Sequence, residues 1–158
     1  MLHHVSVGVR DVERAAKFYD PVLKTLGYRR VMEFLPHAIA YGESRDRPEF
    51  WIGQPQNQQP ANSGNGVHVA FLAKTRQMVS KFHDAALKQG GSNGGEPGPR
   101  PDYGPSYYGA FIYDLDGNKI EAMMNITVKA AAKQGTKKRV AAKRETAPAK
   151  KAKKKSRR

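Results

Sequence analysis

Residues 4–27 of this 158-residue chain recur, without a gap, 64 positions later. His4-Val5 falls on His68-Val69, Lys17-Phe18 on Lys81-Phe82, Asp20 on Asp84, Leu23-Lys24 on Leu87-Lys88, and Gly27 on Gly91. A second match, at an offset of 72, sets Tyr41 on Tyr113 and Glu49 on Glu121, with Gly42 to Pro48 opposite the turn Asp114-Leu115-Asp116-Gly117-Asn118. A chain that carries one unit twice must fold as two copies of one supersecondary module, so the repeat restricts the architecture before any element is assigned.

Each unit opens on a strand. In Leu2 to Val9, His3, Val5, Val7 and Val9 alternate with His4, Ser6 and Gly8, and Val67, Val69 and Phe71 alternate with His68 and Ala70. A helix follows in both. Asp11 caps the first, Glu13 lies in its first turn, Ala15, Phe18, Tyr19, Val22 and Leu26 mark its buried stripe, and Gly27 lies past its end. Pro21 is expected to bend or shorten it. The second helix is predicted from Thr75 to Gln89, with Met78, Val79, Phe82, Ala86 and Leu87 inward and Gly90-Gly91 as its stop. Short strands complete the units, at 29–34, 37–42 and 49–53 in the first and at 107–113 and 119–124 in the second. The segments Gln54 to Asn65 and Gly90 to Ser106, rich in Gly, Pro, Asn and Gln, read as loops that rim a site. The fold class is therefore α+β, with module one at 2–53, a linker at 54–65 and module two at 66–124 of a domain spanning 1–128.

Charge divides the chain at the end of this domain. The whole sequence carries a formal +14, but residues 1–128 hold 14 Lys and Arg against 13 Asp and Glu, and residues 129–158 hold 14 against Glu145 alone. The last segment has no aromatic residue and one branched apolar residue, Val140, too little apolar surface to offset the entropy of ordering. It is predicted to be a disordered Lys/Ala/Arg-rich tail that contacts nucleic acid through phosphates, without reading bases. The chain has no cysteine, which excludes disulfides and thiolate metal sites. No apolar run approaches the ~18 residues of a membrane span, and a strand pattern begins at Leu2, so a soluble, cytoplasmic protein without membrane contact is expected.

Two His and two Glu occupy repeat-related places: His4 and Glu49, His68 and Glu121. A pseudo-two-fold between the units would bring them to one axis. Two imidazoles and two carboxylates suit Zn, Ni, Fe, Mn or Co with positions left for substrate. Ser6 shares a strand face with His4 and Trp51 one with Glu49, and Tyr107 and Tyr108 are further candidates to line a pocket. His3 reads as a packing residue, His83 as a helix-surface residue, and His37 as the start of a strand.

Leu2-His3-His4-Val5-Ser6-Val7-Gly8-Val9-Arg10-Asp11, Phe18-Tyr19 and Leu26-Gly27-Tyr28 resemble the first module of the vicinal oxygen chelate superfamily. Gly66-Val67-His68-Val69-Ala70-Phe71 and Asp114-Leu115-Asp116-Gly117-Asn118-Lys119-Ile120-Glu121-Ala122 resemble the second. The resemblance covers residues 2–124 of a superfamily that includes glyoxalase I, extradiol dioxygenases, fosfomycin-resistance thiol transferases and bleomycin-binding proteins. It implies tandem βαβββ modules whose curled mixed sheet surrounds a shared cavity. It implies metal ligands at His4, His68 and Glu121 with Glu49 as the fourth, and a catalytic part for Glu121 and Glu49. The implied function is a divalent-metal-dependent lyase, isomerase or dioxygenase that acts on a small oxygenated substrate chelated to the metal. The alternative is a non-catalytic, antibiotic-sequestering binding protein of the same fold. Pairing of chains into a homodimer is compatible with either. Gly8 stands where glyoxalase I carries an Arg that holds glutathione.

Overall fold

The computed structural model describes residues 2–125, so the expectations for the tail at 129–158 lie outside the described residues. The order is β1 (Val5–Gly8), α1 (Val12–Lys24), β2 (Arg29–Phe34), β3 (Ala38–Gly42), β4 (Phe50–Gly53), β5 (His68–Leu72), α2 (Arg76–Lys88), β6 (Ser92–Pro99), a short 3₁₀ turn at Pro101–Tyr103, β7 (Tyr107–Tyr113) and β8 (Lys119–Asn125). The βαβββ pattern occurs twice, as two four-stranded mixed sheets ordered β1-β4-β3-β2 and β5-β8-β7-β6.

The helices form where their caps and stripes place them. The Asp11 carboxylate accepts the backbone N–H of Arg14 at 2.8 Å, and the Thr75 hydroxyl accepts that of Met78 at 3.1 Å. Ala15, Phe18, Tyr19 and Val22 of α1 and Val79, Phe82 and Ala86 of α2 are buried in one core with Ile39, Tyr41, Phe50, Ile52, Ile112 and Ile120 from the sheets. Pro21 neither ends nor shortens α1, which continues to Lys24. His83, expected on the surface, is 2% exposed, with Nε2 3.0 Å from Asn93 Oδ1. Residues 92–99, expected within a loop, form the edge strand β6 against β7, with two shifts of register along it. Among the described residues no helix is long and apolar enough to cross a membrane.

The modules meet through the turn before β8. Asp114 accepts the Tyr19 hydroxyl at 2.6 Å, the Asn118 side chain donates to the Gly8 carbonyl at 3.1 Å, and Arg10 Nε lies 3.2 Å from the buried Asp116 carboxylate. These contacts set the Gly8 end of β1 beside the start of β8, whose first residue, Lys119, pairs with His68. At the other end of β1, Glu49, whose carbonyl accepts the Val5 N–H, shares a cavity of about 470 Å³ with Leu72 and Ala73 from the end of β5. The first strands of the two modules therefore run in opposite senses, which decides where the candidate ligands stand.

Candidate metal centre

His4 precedes β1 and His68 opens β5, so opposed strands carry the two imidazoles to opposite ends. The five residues of β5 alone span about 13 Å at ~3.3 Å per residue. Among the described residues no three His, Asp or Glu side chains gather closely enough to hold one ion. The expectation that the pseudo-two-fold of a single chain draws His4 to His68 and Glu121 is thereby corrected: that axis relates the two imidazoles but separates them.

The second sheet carries a compact pair. Glu121 in β8 is 1% exposed. Its Oε2 lies 3.3 Å from His68 Nε2, and its Oε1 accepts the Tyr107 hydroxyl at 2.8 Å. A buried carboxylate needs such partners to offset the hydration it loses. Space is reserved for it as well, because a Cβ on Gly109 would come within 2.8 Å of Oε1. Burial, then the hydrogen bond and charge of Glu121, push the Tyr107 phenol well above its ordinary range, so it remains a protonated donor at neutral pH. Tyr108, the next residue, points to the other side of the sheet, as strand alternation requires. It packs on the core with the Arg76 guanidinium 4.9 Å above its ring, and so does not join the site.

The first sheet carries a different face. Ser6 and Trp51 are partners in the β1–β4 register, and both line a cavity of about 1370 Å³ closed on one side by residues 54–62 of the linker. His37 lines the same cavity, with Nδ1 3.2 Å from Gln54 Oε1. The Trp51 ring stacks on Phe34 at 6.0 Å, and the His4 ring lies 6.2 Å away. The indole N–H is buried without a partner. His3 is exposed and edge-on to His4 at 5.1 Å, so it is not a packing residue of the core.

Glu49 does not hold the place expected of a fourth ligand. Val5 pairs with Phe50 and Val69 with Ile120, so with Val5 equivalent to Val69 the counterpart of Glu121 is Trp51. Glu49 corresponds to Lys119. Its carboxylate lies 2.7 Å from Arg47 and next to Tyr28, whose phenol is pushed up to about 12 by burial and then by Glu49. The match at offset 72 is two residues out at Glu49 and one out at Tyr41, whose counterpart is Ile112, because β3–β4 and β7–β8 are joined by connections of different length.

The match to known proteins follows this architecture. The family model of the Glyoxalase/Bleomycin resistance protein/Dioxygenase superfamily matches residues 1–122. A solved glyoxalase/bleomycin resistance protein from Albidiferax ferrireducens T118 is 37% identical, with a TM-score of 0.71, over 79% of this chain and 99% of its own. A glyoxalase-related enzyme from Fulvimarina pelagi is 20% identical, TM-score 0.61, over 79% and 88%. A lactoylglutathione lyase from Agrobacterium tumefaciens is 17% identical, TM-score 0.54, over 78% and 92%. These last two show likeness of fold alone. No curated protein matches. With two βαβββ modules and a family match that spans both, the chain belongs to the glyoxalase/bleomycin resistance protein/dioxygenase superfamily.

Proposed function

We propose that the protein is a divalent-metal-dependent enzyme of the glyoxalase or dioxygenase type, acting on a small oxygenated substrate, with His4, His68 and Glu121 as the ligands. The reading is carried by the His68–Glu121 pair: an imidazole nitrogen and a carboxylate oxygen 3.3 Å apart, on a carboxylate seated by Tyr107 and the missing side chain at Gly109. The donor chemistry fits a metal. Two imidazoles with one carboxylate is the set that suits Fe(II), with Zn, Ni, Mn and Co also served by these ligand types. Trp51 stands at the counterpart of Glu121, so no second carboxylate competes with substrate.

One chain presents His68 and Glu121 on one sheet and His4 on the other, so the third ligand is assigned to a second copy in a homodimer. His4 of each chain meets His68 and Glu121 of the other. Exposed Ser6 on the first sheet and exposed Ala70 and Leu72 on the second leave both outer faces open for this pairing. A bound metal supplies stabilisation of negative charge on a substrate oxygen. The chain itself contributes the orientation of Glu121 by the Tyr107 hydroxyl and the water-excluding surface of Trp51 and Phe34.

Subunit mixing tests the assignment. His4→Ala and Glu121→Ala homodimers should each lose tight binding of Mn²⁺ or Fe²⁺. A mixed dimer of the two should regain one site per pair, read by metal titration and light scattering. Mixing without recovery would refute the shared site.

One observation favours a binding protein instead: Trp51, stacked on Phe34 in a large cavity edged by glutamines and asparagines. Stoichiometric metal in untagged protein decides for the enzyme, and metal-free protein with an aromatic ligand in this cavity decides for the binder. Residues 129–158 are proposed to add non-specific nucleic-acid contact to either function.

A further inference from the structure

The outer face of the second sheet holds two cations that the metal reading leaves unused. The Arg100 guanidinium carbon lies 5.5 Å from the centroid of the Phe111 ring, and Lys119 Nζ lies 4.8 Å from the same centroid. Phe111 is the register partner of Glu121, and Lys119 that of His68, so ring and lysine share the face of the His68–Glu121 pair.

Arg100 is held in a built seat. Its Nη2 donates to the Glu96 carbonyl at 2.7 Å and its Nη1 to the Pro99 carbonyl at 3.1 Å. A Cβ on Gly95 would lie 3.2 Å from Nη2, and one on Gly98 3.1 Å from Nη1, so the glycines of β6 make the room in which the guanidinium lies against the ring. Five N–H bonds belong to a guanidinium and three to an ammonium. Two of the eight are used in these bonds to carbonyls.

Among the described residues neither cation is paired with a carboxylate. Attraction to the ring accounts for where each charge rests. It leaves both with unused donors, and their shared contact with one ring keeps the two within about 10 Å of each other. Two pre-positioned like charges with spare donors and no carboxylate of the described residues within 4 Å complement an oxyanion, and the guanidinium fork suits a carboxylate or phosphate in particular.

We propose that Arg100 and Lys119 form an oxyanion-recognition pair beside Glu121, and that the substrate carries a carboxylate or phosphate-type group which they hold. Assigning that group to the substrate rests on the metal-site reading, whereas anion binding by the pair does not.

The test is a titration of isotopically labelled full-length protein with inorganic phosphate and with benzoate, at constant ionic strength, following the Arg100 Nε–H and Phe111 ring resonances. At least one anion should give saturable shifts, and which of them does so tells a phosphate-type group from a carboxylate. Lys119→Met and Arg100→Met should each weaken the response about tenfold, as loss of one charge-assisted contact would. Lys119→Arg should restore most of it. Contacts of the anions with the basic tail are common to all variants and cancel in the comparison. No saturable response to either anion, or an unchanged response in Lys119→Met, overturns the proposal. Mn²⁺ titration of the same samples separates the two readings, because wild-type protein that binds anion and no Mn²⁺ would sink the metal site and leave the pair standing.

Discussion

Glu121 shows how much of a site can depend on one absent side chain. Its carboxylate occupies the space that a Cβ at position 109 would need, only 2.8 Å from Oε1. Gly109→Ala should therefore swing the carboxylate off His68 and Tyr107 and cost about 1–3 kcal/mol of stability as an overpacked core substitution. Thermal or urea unfolding checks the stability, and metal titration of the same variant should show weakened binding. Tyr107→Phe should preserve the fold, leave one carboxylate oxygen without its donor, and weaken metal binding by about ten- to a hundredfold, since a hydrogen bond to a charged group contributes roughly 1.5–3 kcal/mol. Unchanged metal affinity in Tyr107→Phe would show that the hydroxyl does not orient Glu121. Glu121 was singled out in the sequence by its place in the segment Asp114 to Ala122, which resembles the close of the second module. Gly109 was not, because a close approach across a sheet leaves no trace in the spacing of residues. The sequence does not mark Arg100 either, because it lies in a Gly/Pro-rich stretch with no period to say which face it presents.

At the scale of elements, one buried contact ties the first helix to the last hairpin. The Tyr19 hydroxyl donates to Asp114 at 2.6 Å, and Asp114 also accepts the backbone N–H groups of Asp116 and Asn118. Burial, and then the charge of Asp114, raise the Tyr19 phenol well above its ordinary pKa of ~10. A folded pKa above the unfolded one means that the full stability is present below ~pH 10 and is lost as pH rises from there toward the folded value. For a single such tyrosine the slope is about 1.4 kcal/mol per pH unit. Tyr19→Phe should thus lower stability near neutrality by about 1–3 kcal/mol and also flatten the alkaline decline, measured by urea unfolding from pH 7 to 11. An unaltered alkaline slope would assign that decline to other groups. The elements themselves were largely legible: β2 and β7 run over the residues expected of them, and both helices start at their Asp and Thr caps. The strand β6 was not, because Gly94, Gly95, Pro97, Gly98 and Pro99 remove the alternation on which a strand is recognised, while pairing with β7 supplies the order. The partner of Glu121 was misplaced because two chance identities, Tyr41 with Tyr113 and Glu49 with Glu121, outweighed a register that only the sheets reveal.

For the whole molecule, the repeat was visible in the sequence, but the sense in which the two copies face each other was not. That depends on side-chain contacts between residues some hundred positions apart, such as Asn118 with Gly8. A second division is one of charge. The +13 of residues 129–158 is separate in sequence from the proposed ligands, which all lie within residues 1–128. Duplex DNA binding by the full chain should fall with a log–log salt slope of about −0.9 per phosphate engaged, dropping by a few orders of magnitude between ~50 and ~200 mM salt if six to ten phosphates are engaged. Truncation after Val128 should abolish this retardation and leave metal affinity nearly unchanged, and persistent DNA binding by the shortened chain would contradict the assignment. The chain also holds a single tryptophan. Because Trp51 stacks on Phe34 and lies 6.2 Å from the His4 ring, with its indole N–H shielded from water, the protein carries its own fluorescent reporter on the face of the first sheet. Its emission should respond when His4 binds an ion, or when a ring slides over the cavity. In the proposed dimer the same indole lies beside the His68–Glu121 pair of the second copy, so without any label its emission reports occupancy of the shared site.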